Sequence, residues 1–292
     1  MGTPASHADS HAVVVPLYGV IPHTLPSQLA GLSDANFRVV LVDNRTPQHR
    51  ADRPAATLSS KAELVVNHNR GGLAGGFNRG VAHAIRTGAS TITLLDQDSQ
   101  LNAAHLHELG TSLARCGPRS LVGPRVIDRW RQPTQPKHRW QQGNRLQPKR
   151  MLISSGTTFF AADWPTLGPM HEPLEIDYVD HHWCFRARLR GFQCFENQRV
   201  TLVQAFGERH PNRICHQLGM QLYGPDRHYT AVRNLRWLLL QPSAPVDVKA
   251  KELGKMAIKP ILWLLMEPKR LANLRAVLHG LLDPLPAKDP QA

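Results

Sequence analysis

Thr91-Ile92-Thr93-Leu94-Leu95-Asp96-Gln97-Asp98-Ser99 decides how this chain is read. A short apolar run of strand-forming residues stops abruptly at two carboxylates one residue apart. Acids just past a buried strand stand where a parallel sheet opens into a ligand crevice. Along an extended segment, residues i and i+2 point to the same side, so Asp96 and Asp98 can face one cation. Hard divalent cations such as Mg²⁺ prefer carboxylate oxygens and usually keep substrate phosphates in their shell. The pair therefore points to a metal that grips a diphosphate. The same spacing also suits a solvated strand end, so the neighbouring segments must choose between the two.

Toward the N-terminus, Ala12-Val13-Val14-Val15 is a continuous β-branched run followed by a loop over Pro16–Pro22. Residues 37–42 form a second run, ending in Asp43-Asn44, and Glu63–Asn67 a third. Between that third run and Asp96, Phe77, Val81 and Ile85 recur every four residues, which predicts a helix over Ala74–Thr87 stopped by Gly88. Alternating strands and helices argue for an α/β fold with a parallel, helix-covered sheet. The pattern resumes at Leu101–Ala114, Ser120–Ile127 and Leu152–Phe160, interrupted by a Pro-, Arg-, Lys- and Gln-rich stretch over 128–150 that reads as a loop. Past residue 205 the chain turns to basic amphipathic helices. Tyr229, Val232, Leu235, Leu238 and Leu239 make one stripe, Ile258 to Leu282 carries another, and the Pro- and Ala-rich end is expected to fray.

The 292 residues carry 35 Lys and Arg against 22 Asp and Glu, a net charge of +13 with a pI near 10.2. Such a surface attracts polyanions, whether nucleic acid, anionic lipid or a phosphorylated substrate. Aromatics make up only 6% of the chain and do not interleave with the basic residues, so no nucleic acid is expected as a partner. No apolar run approaches the roughly 20 residues of a spanning helix. The first ten residues lack the apolar region of a signal peptide. Four cysteines without CxxC spacing fit a reducing cytoplasm.

Two further segments carry chemistry. Asn69-Arg70-Gly71-Gly72-Leu73-Ala74-Gly75-Gly76-Phe77-Asn78-Arg79-Gly80 opens the predicted helix. Its glycines permit close approach of a ligand, or of the sheet, and free amides at a helix start favour anions. The spacing matches neither a dinucleotide fingerprint nor a P-loop. In Ile176-Asp177-Tyr178-Val179-Asp180-His181-His182-Trp183-Cys184-Phe185-Arg186, Asp180 reads as the start of a helix running to Arg190 and stopped by Gly191. An ionised Asp there is either a cap or a general base. The adjacent His181 and His182 lack further ligands at zinc spacing.

Val13–Tyr18, Asp43-Asn44, Asn69–Gly80, Asp96–Ser99, Ser155-Gly156 and Ile176–Arg190 together resemble, in order and approximate spacing, the family 2 glycosyltransferases of GT-A fold. Asp96-Gln97-Asp98-Ser99 with Asp177-Tyr178-Val179-Asp180 and Trp183-Cys184 is most similar to the bacterial rhamnosyltransferase branch, which uses dTDP-L-rhamnose. The likeness covers roughly residues 11–240, including Arg233-Asn234. It implies a GT-A nucleotide-sugar-binding and catalytic domain over 11–205 and a helical, basic extension over 206–285.

By the same resemblance, Pro16, Tyr18, Asp43, Asn69, Gly72, Asn78, Asp96 and Gln97 would line the donor pocket. Asp96 and Asp98 would hold Mg²⁺ or Mn²⁺, and Asp180 would deprotonate the acceptor hydroxyl. Gly156, Asp177, His182 and Trp183 would lie on the acceptor side. The chain departs from the pattern at His182, where a second acid is usual. It departs again at Gln204, before Phe206-Gly207, where a His often precedes Leu-Gly.

The implied partners are a dTDP-sugar, a saccharide acceptor of the kind that a polyprenyl diphosphate can carry, and an anionic membrane surface. The expected location is the cytoplasm, peripheral on the inner face of the plasma membrane. Gly75–Gly80 is also similar to galactofuranosyltransferases. A sugar-nucleotide pyrophosphorylase would need a Gly-rich, Arg-containing loop where this chain has Pro16-Leu17-Tyr18-Gly19. A basic nucleic-acid- or membrane-binding protein accounts for the charge but leaves the ordered acids unexplained.

Overall fold

The computed structural model describes residues 10–45, 47, 55–130, 146–210, 212 and 221–291. In chain order its elements are β1 (His11–Leu17), α1 (Leu25–Asp34), β2 (Arg38–Asp43), β3 (Glu63–Val66), α2 (Gly72–Arg86), β4 (Thr91–Leu94) and α3 (Ala103–Cys116). They continue with β5 (Ser120–Asp128), β6 (Leu146–Lys149), β7 (Thr158–Phe160), α4 (Trp164–Leu167), α5 (Val179–Leu189) and β8 (Gln193–Gln204). A small hairpin of β9 (Glu208–Arg209) and β10 (Gln221–Leu222) leads to α6 (Pro225–Leu239), α7 (Val246–Met266) and α8 (Arg270–Leu282).

Eight strands form one sheet in the order β3-β2-β1-β4-β7-β5-β8-β6, mostly parallel, with β7 antiparallel to both of its neighbours. Its apolar strands are buried on both faces, as a helix-covered parallel sheet requires. Ala12 and Val14 of β1 face α2 and pack with Phe77 and Val81. Val13, Val15 and Leu17 face the other way, onto Leu25, Leu29 and Leu32 of α1 and Leu106, Leu109 and Leu113 of α3. Helix α3 starts on a reciprocal cap: the Asn102 carboxamide accepts from His105 N at 3.0 Å, and His105 Nδ1 accepts from Asn102 N at 3.3 Å. Gly80 sets the α2–sheet distance, because a Cβ there would come within 2.2 Å of Val14 Cγ1 and 2.8 Å of Val42 Cγ2.

Three expectations are corrected. The stretch over 128–150 is not all loop: residues 146–149 are the antiparallel edge strand β6, while 131–145 lie outside the described residues. The strand expected over Leu152–Phe160 shrinks to Thr158–Phe160, because residues 154–157 fold into a turn. In that turn Thr157 N donates to Ser154 O at 2.9 Å and Gly156 N to Leu94 O at 2.7 Å, which lays the turn against the end of β4.

The Pro- and Ala-rich end does not fray. Ala287 O accepts from His171 Nε2 at 2.8 Å and from Trp237 Nε1 at 3.1 Å, and Asp289 is buried. Upstream of it, Val232, Leu235 and Leu238 of α6 turn inward as their spacing predicts, and α8 crosses α6 closely at Gly280. Among the described residues no helix is long and apolar enough to cross a membrane, and Cys116, Cys184 and Cys194 are free thiols.

Candidate active site

The turn after β4 is held from four directions. Asp96 N donates to Ser155 Oγ at 3.1 Å, and Ser99 N closes the turn onto Asp96 O at 3.1 Å. Ser99 Oγ donates to Gln204 Oε1 at 2.5 Å, and Gln28 Nε2 donates to Ser99 O at 2.9 Å. Gln204 thus replaces the histidine of the family pattern with a brace under the acidic turn. Gln97 spends its carboxamide on the loop after β1, accepting from Tyr18 N at 2.9 Å and donating to Tyr18 O at 2.6 Å. It fastens the Tyr18 loop to the turn, and Tyr18 itself stays 60% exposed.

The two acids of the turn differ sharply. Asp98 is exposed, whereas Asp96 Oδ1 is shut away from solvent without a hydrogen-bond partner. Burial, then the charges of Asp98 and Asp180, push the Asp96 carboxyl up to about 8, against the pull of Arg227. A carboxylate pair with one orphaned oxygen, crowded by a third acid, is a donor set that fits a divalent cation. Among the described residues no cluster of three or more His, Cys, Asp and Glu would enclose a metal by itself. The two acids would leave coordination positions for oxygens of a ligand.

Asp180 reaches this field from the other side, in the first turn of α5. The cap position belongs to Tyr178, not to Asp180; the Asp180 carboxylate instead accepts a hydrogen bond from the Ser154 hydroxyl. Burial raises its pKa, and the bond from Ser154 and the nearby His181 oppose that rise.

The chain enters α5 through a strained bend, with positive φ at Glu175 (59°), Asp177 (58°) and Tyr178 (61°). Such backbone persists only where its surroundings over-determine it. Here Asn234 Nδ2 donates to the carbonyls of Leu174, Ile176 and Asp177 at 2.8, 2.6 and 3.2 Å. Arg227 and Thr230 grip the Asp177 carboxylate, at 2.8 Å for the guanidinium and 2.6 Å for the hydroxyl. Leu73 N at the start of α2 donates to Glu175 O at 2.8 Å. The bend, and with it Asp180, is therefore set by α6 and α2 together.

Several residues expected to meet ligands have partners within the protein. Asp43 is buried in a pair with Arg45 at 3.0 Å. Asn78 pins Met170 from both sides at 2.8 Å and Glu172 at 3.0 Å. Gly72 meets the Glu175 backbone, where a Cβ would stand 2.8 Å from its Cα, and its carbonyl accepts from Asn44 Nδ2 at 2.7 Å. Asn69 accepts from Asn44 at 3.1 Å in left-handed backbone. Pro16 packs under Gly76, and Gly156 packs on Pro124.

On the acceptor side, Asp177 is the clamp just described. His182 is fully buried, with Nε2 on Asp289 at 2.7 Å, and Trp183 lies in the core with its indole N–H on Gly168 O at 2.9 Å. Both side chains serve packing and anchoring, His182 on the face of α5 opposite Asp180 and Trp183 in the core. Ser154, Arg227, Asn234 and Asp289 went unassigned by the sequence. Only the Arg233-Asn234 pair carried a signal. A cavity of about 360 Å³ between the β9–β10 hairpin and the α7–α8 junction, lined by Tyr223, Glu267, Lys269 and Asn273 among others, contains none of the three acids.

The comparisons with known proteins agree with this geometry. The chain is 26% identical over 288 residues to the dTDP-rhamnosyl transferase RfbF of Shigella flexneri, covering 95% of each chain. Its fold resembles S. aureus TarS 1-349 in complex with UDP-GlcNAc, with a TM-score of 0.53 and 12% identity, over 93% of this chain and 81% of that one. It also resembles GalNAc-T7 with UDP, GalNAc and Mn²⁺, with a TM-score of 0.54 and 11% identity, over 88% of this chain and 58% of that one. The model described as Glycosyl transferase family 2 matches residues 12–168, more than half of the sequence, from β1 through the acidic turn to α4. An α/β sheet, an acid pair that fits a cation and a half-buried acid in the same electrostatic field suit a sugar-transferring enzyme, and the chain belongs to glycosyltransferase family 2.

Proposed function

We propose that this glycosyltransferase inverts the anomeric centre as it transfers L-rhamnose from dTDP-L-rhamnose to a saccharide acceptor in bacterial surface polysaccharide synthesis. The observation that carries the reading is the convergence of Asp96, Asp98 and Asp180 in one electrostatic field, the first two from the turn after β4 and the third from the start of α5. The 26% identity to a dTDP-rhamnosyl transferase along 95% of the chain supports the choice of sugar.

Asp180 takes the proton of the acceptor hydroxyl as that oxygen attacks the anomeric carbon from the face opposite the nucleotide. The bond to the leaving diphosphate breaks and the configuration inverts. Asp96 and Asp98 would hold Mg²⁺ or Mn²⁺, which when bound neutralises charge on the leaving diphosphate. Ser154 orients the Asp180 carboxylate and favours its anion. The Tyr18 loop, fixed by Gln97, borders the nucleotide. A donor-hydrolysis panel over dTDP-L-rhamnose, UDP-galactofuranose, UDP-glucose and GDP-mannose tests this, with dTDP-L-rhamnose expected to turn over fastest. A preference for any other donor overturns the assignment of the sugar.

The C-terminal helices support a peripheral membrane location on the cytoplasmic face, where a polyprenyl-diphosphate-linked acceptor would be presented. On α7, Leu253, Ile258, Ile261 and Leu265 are 56–60% exposed, and on α8 Leu271 and Leu282 are 75% and 79% exposed. Lys251, Lys255, Lys259, Arg270 and Arg275 share these helices, and Lys269 caps the start of α8. Near anionic lipid such residues contribute on the order of 1 kcal/mol each, and the apolar side chains add burial at the headgroup boundary. Co-sedimentation with anionic but not neutral vesicles is expected, weakened by salt. Ile258→Ser with Ile261→Ser should reduce it several-fold while donor hydrolysis continues. Equal binding to neutral vesicles, or none to either, makes these helices a solvated face.

A further inference from the structure

Residues 287–291 form a strap across α5. Asp289 Oδ2 accepts from His182 Nε2 at 2.7 Å and from Arg186 Nη1 at 2.5 Å, and Asp289 Oδ1 accepts from Gln291 N at 2.9 Å. Arg190 donates to Gln291, reaching its backbone carbonyl and, at 3.4 Å, its side chain. His182, Arg186 and Arg190 are spaced by four, so the strap runs along one face of the helix. Two residues before His182, and so about 200° around the axis, Asp180 projects on the opposite face.

A second layer fixes the strap from behind. Ala287 O accepts from His171 and Trp237, and the Trp237 ring stacks on His171 with centroids 4.7 Å apart and meets His182 edge-on at 4.7 Å. Arg186 is 2% exposed, so without Asp289 its guanidinium would be an uncompensated buried charge. Relief of that charge would require α5 to shift or turn. A displacement of about 1 Å at a reacting group costs on the order of 10²-fold in rate.

We propose that Asp289 is a positioning residue for Asp180, holding the rotation and height of α5 through His182 and Arg186. The inference rests on Asp180 being the base. It is tested in the full-length enzyme by donor hydrolysis, with the nucleotide sugar that the panel selects, below the melting temperature of every variant. Asp289→Ala is expected to lower kcat roughly 10- to 100-fold with donor KM within about twofold. Asp289→Glu, which restores the charge, should recover part of the loss.

In the Asp180→Asn background, Asp289→Ala should cost nothing further, because the group it positions is already gone. Should Asp289→Ala fail to fold, Arg190→Ala loosens the end of the strap, together with the Arg190 bonds to Thr166 O and Leu167 O, and is expected to give the same pattern at a few-fold scale. An unchanged kcat in folded Asp289→Ala, or a loss that adds in full to that of Asp180→Asn, overturns the inference. An unchanged kcat in Asp180→Asn by itself instead removes the base reading on which it stands.

Discussion

Asp180→Asn is expected to lower kcat by about 10²–10⁴-fold, the usual contribution of a positioned general base, with donor KM nearly unchanged. Asparagine keeps the shape and can still accept the Ser154 hydroxyl, so the start of α5 is preserved while basicity is lost. The wild-type pH profile should carry the same signature. Burial raises the Asp180 pKa, so the rising limb of kcat falls above the ordinary carboxylate range. The Ser154 hydrogen bond favours the anion and opposes that rise. Ser154→Ala therefore moves the limb to still higher pH and slows the enzyme at neutrality. A collapse of donor binding with kcat intact would make Asp180 a structural residue. Asp177 could not then take over, because Arg227 and Thr230 already occupy its carboxylate.

Much of this architecture was legible in short-range pattern. The β-branched runs at Val13 and Val39, the four-residue spacing of Phe77, Val81 and Ile85, and the acids after Leu95 each report on neighbours within a few residues. What was not legible is long-range. Asn78 looks like a pocket residue in a glycine-rich helix start, but its partners are Met170 and Glu172, more than ninety residues on. His182 stands where a second acid is usual, and only the fold reveals that Asp289 supplies a carboxylate to it from 107 positions away. A segment rich in proline and alanine reads as frayed because composition reports propensity, and the ion pair that anchors it is invisible until α5 is built. The glycines divide along the same line. Gly75 and Gly80 are required by backbone and strand atoms within 1.9 and 2.2 Å of an added Cβ, not by a ligand.

The strained bend before α5 shows how stability is spent on the site. Three residues in left-handed backbone cost on the order of 1–3 kcal/mol each, and the hydrogen bonds from Asn234 offset that cost. Helix α6 thus sets the bend that carries Asp180, although it touches neither acid of the turn. A similar cost in stability appears at Asp96, whose carboxyl is held against three unfavourable influences.

Asp98→Ala should therefore lose transferase activity by at least about 10²-fold, since a bound cation supplies several kcal/mol of charge stabilisation. Its fold should be unaffected, because Asp98 is exposed and lies past the end of β4. Asp96→Asn should be equally inactive but differ in stability. The Asp96 carboxyl ionises near pH 8 in the folded chain and far lower when unfolded, so between those values rising pH favours unfolding. Asparagine removes that liability, and the metal-free variant should melt a few degrees above the wild type at pH 8. Thermal shift with dTDP and Mn²⁺ supplies a readout independent of turnover: the wild type is stabilised, EDTA abolishes the effect, and neither variant responds. Full activity of Asp98→Ala in chelator would refute the cation reading. A lower melting point for Asp96→Asn would mean that Asp96 supports the fold and that its orphaned oxygen is not waiting for a metal.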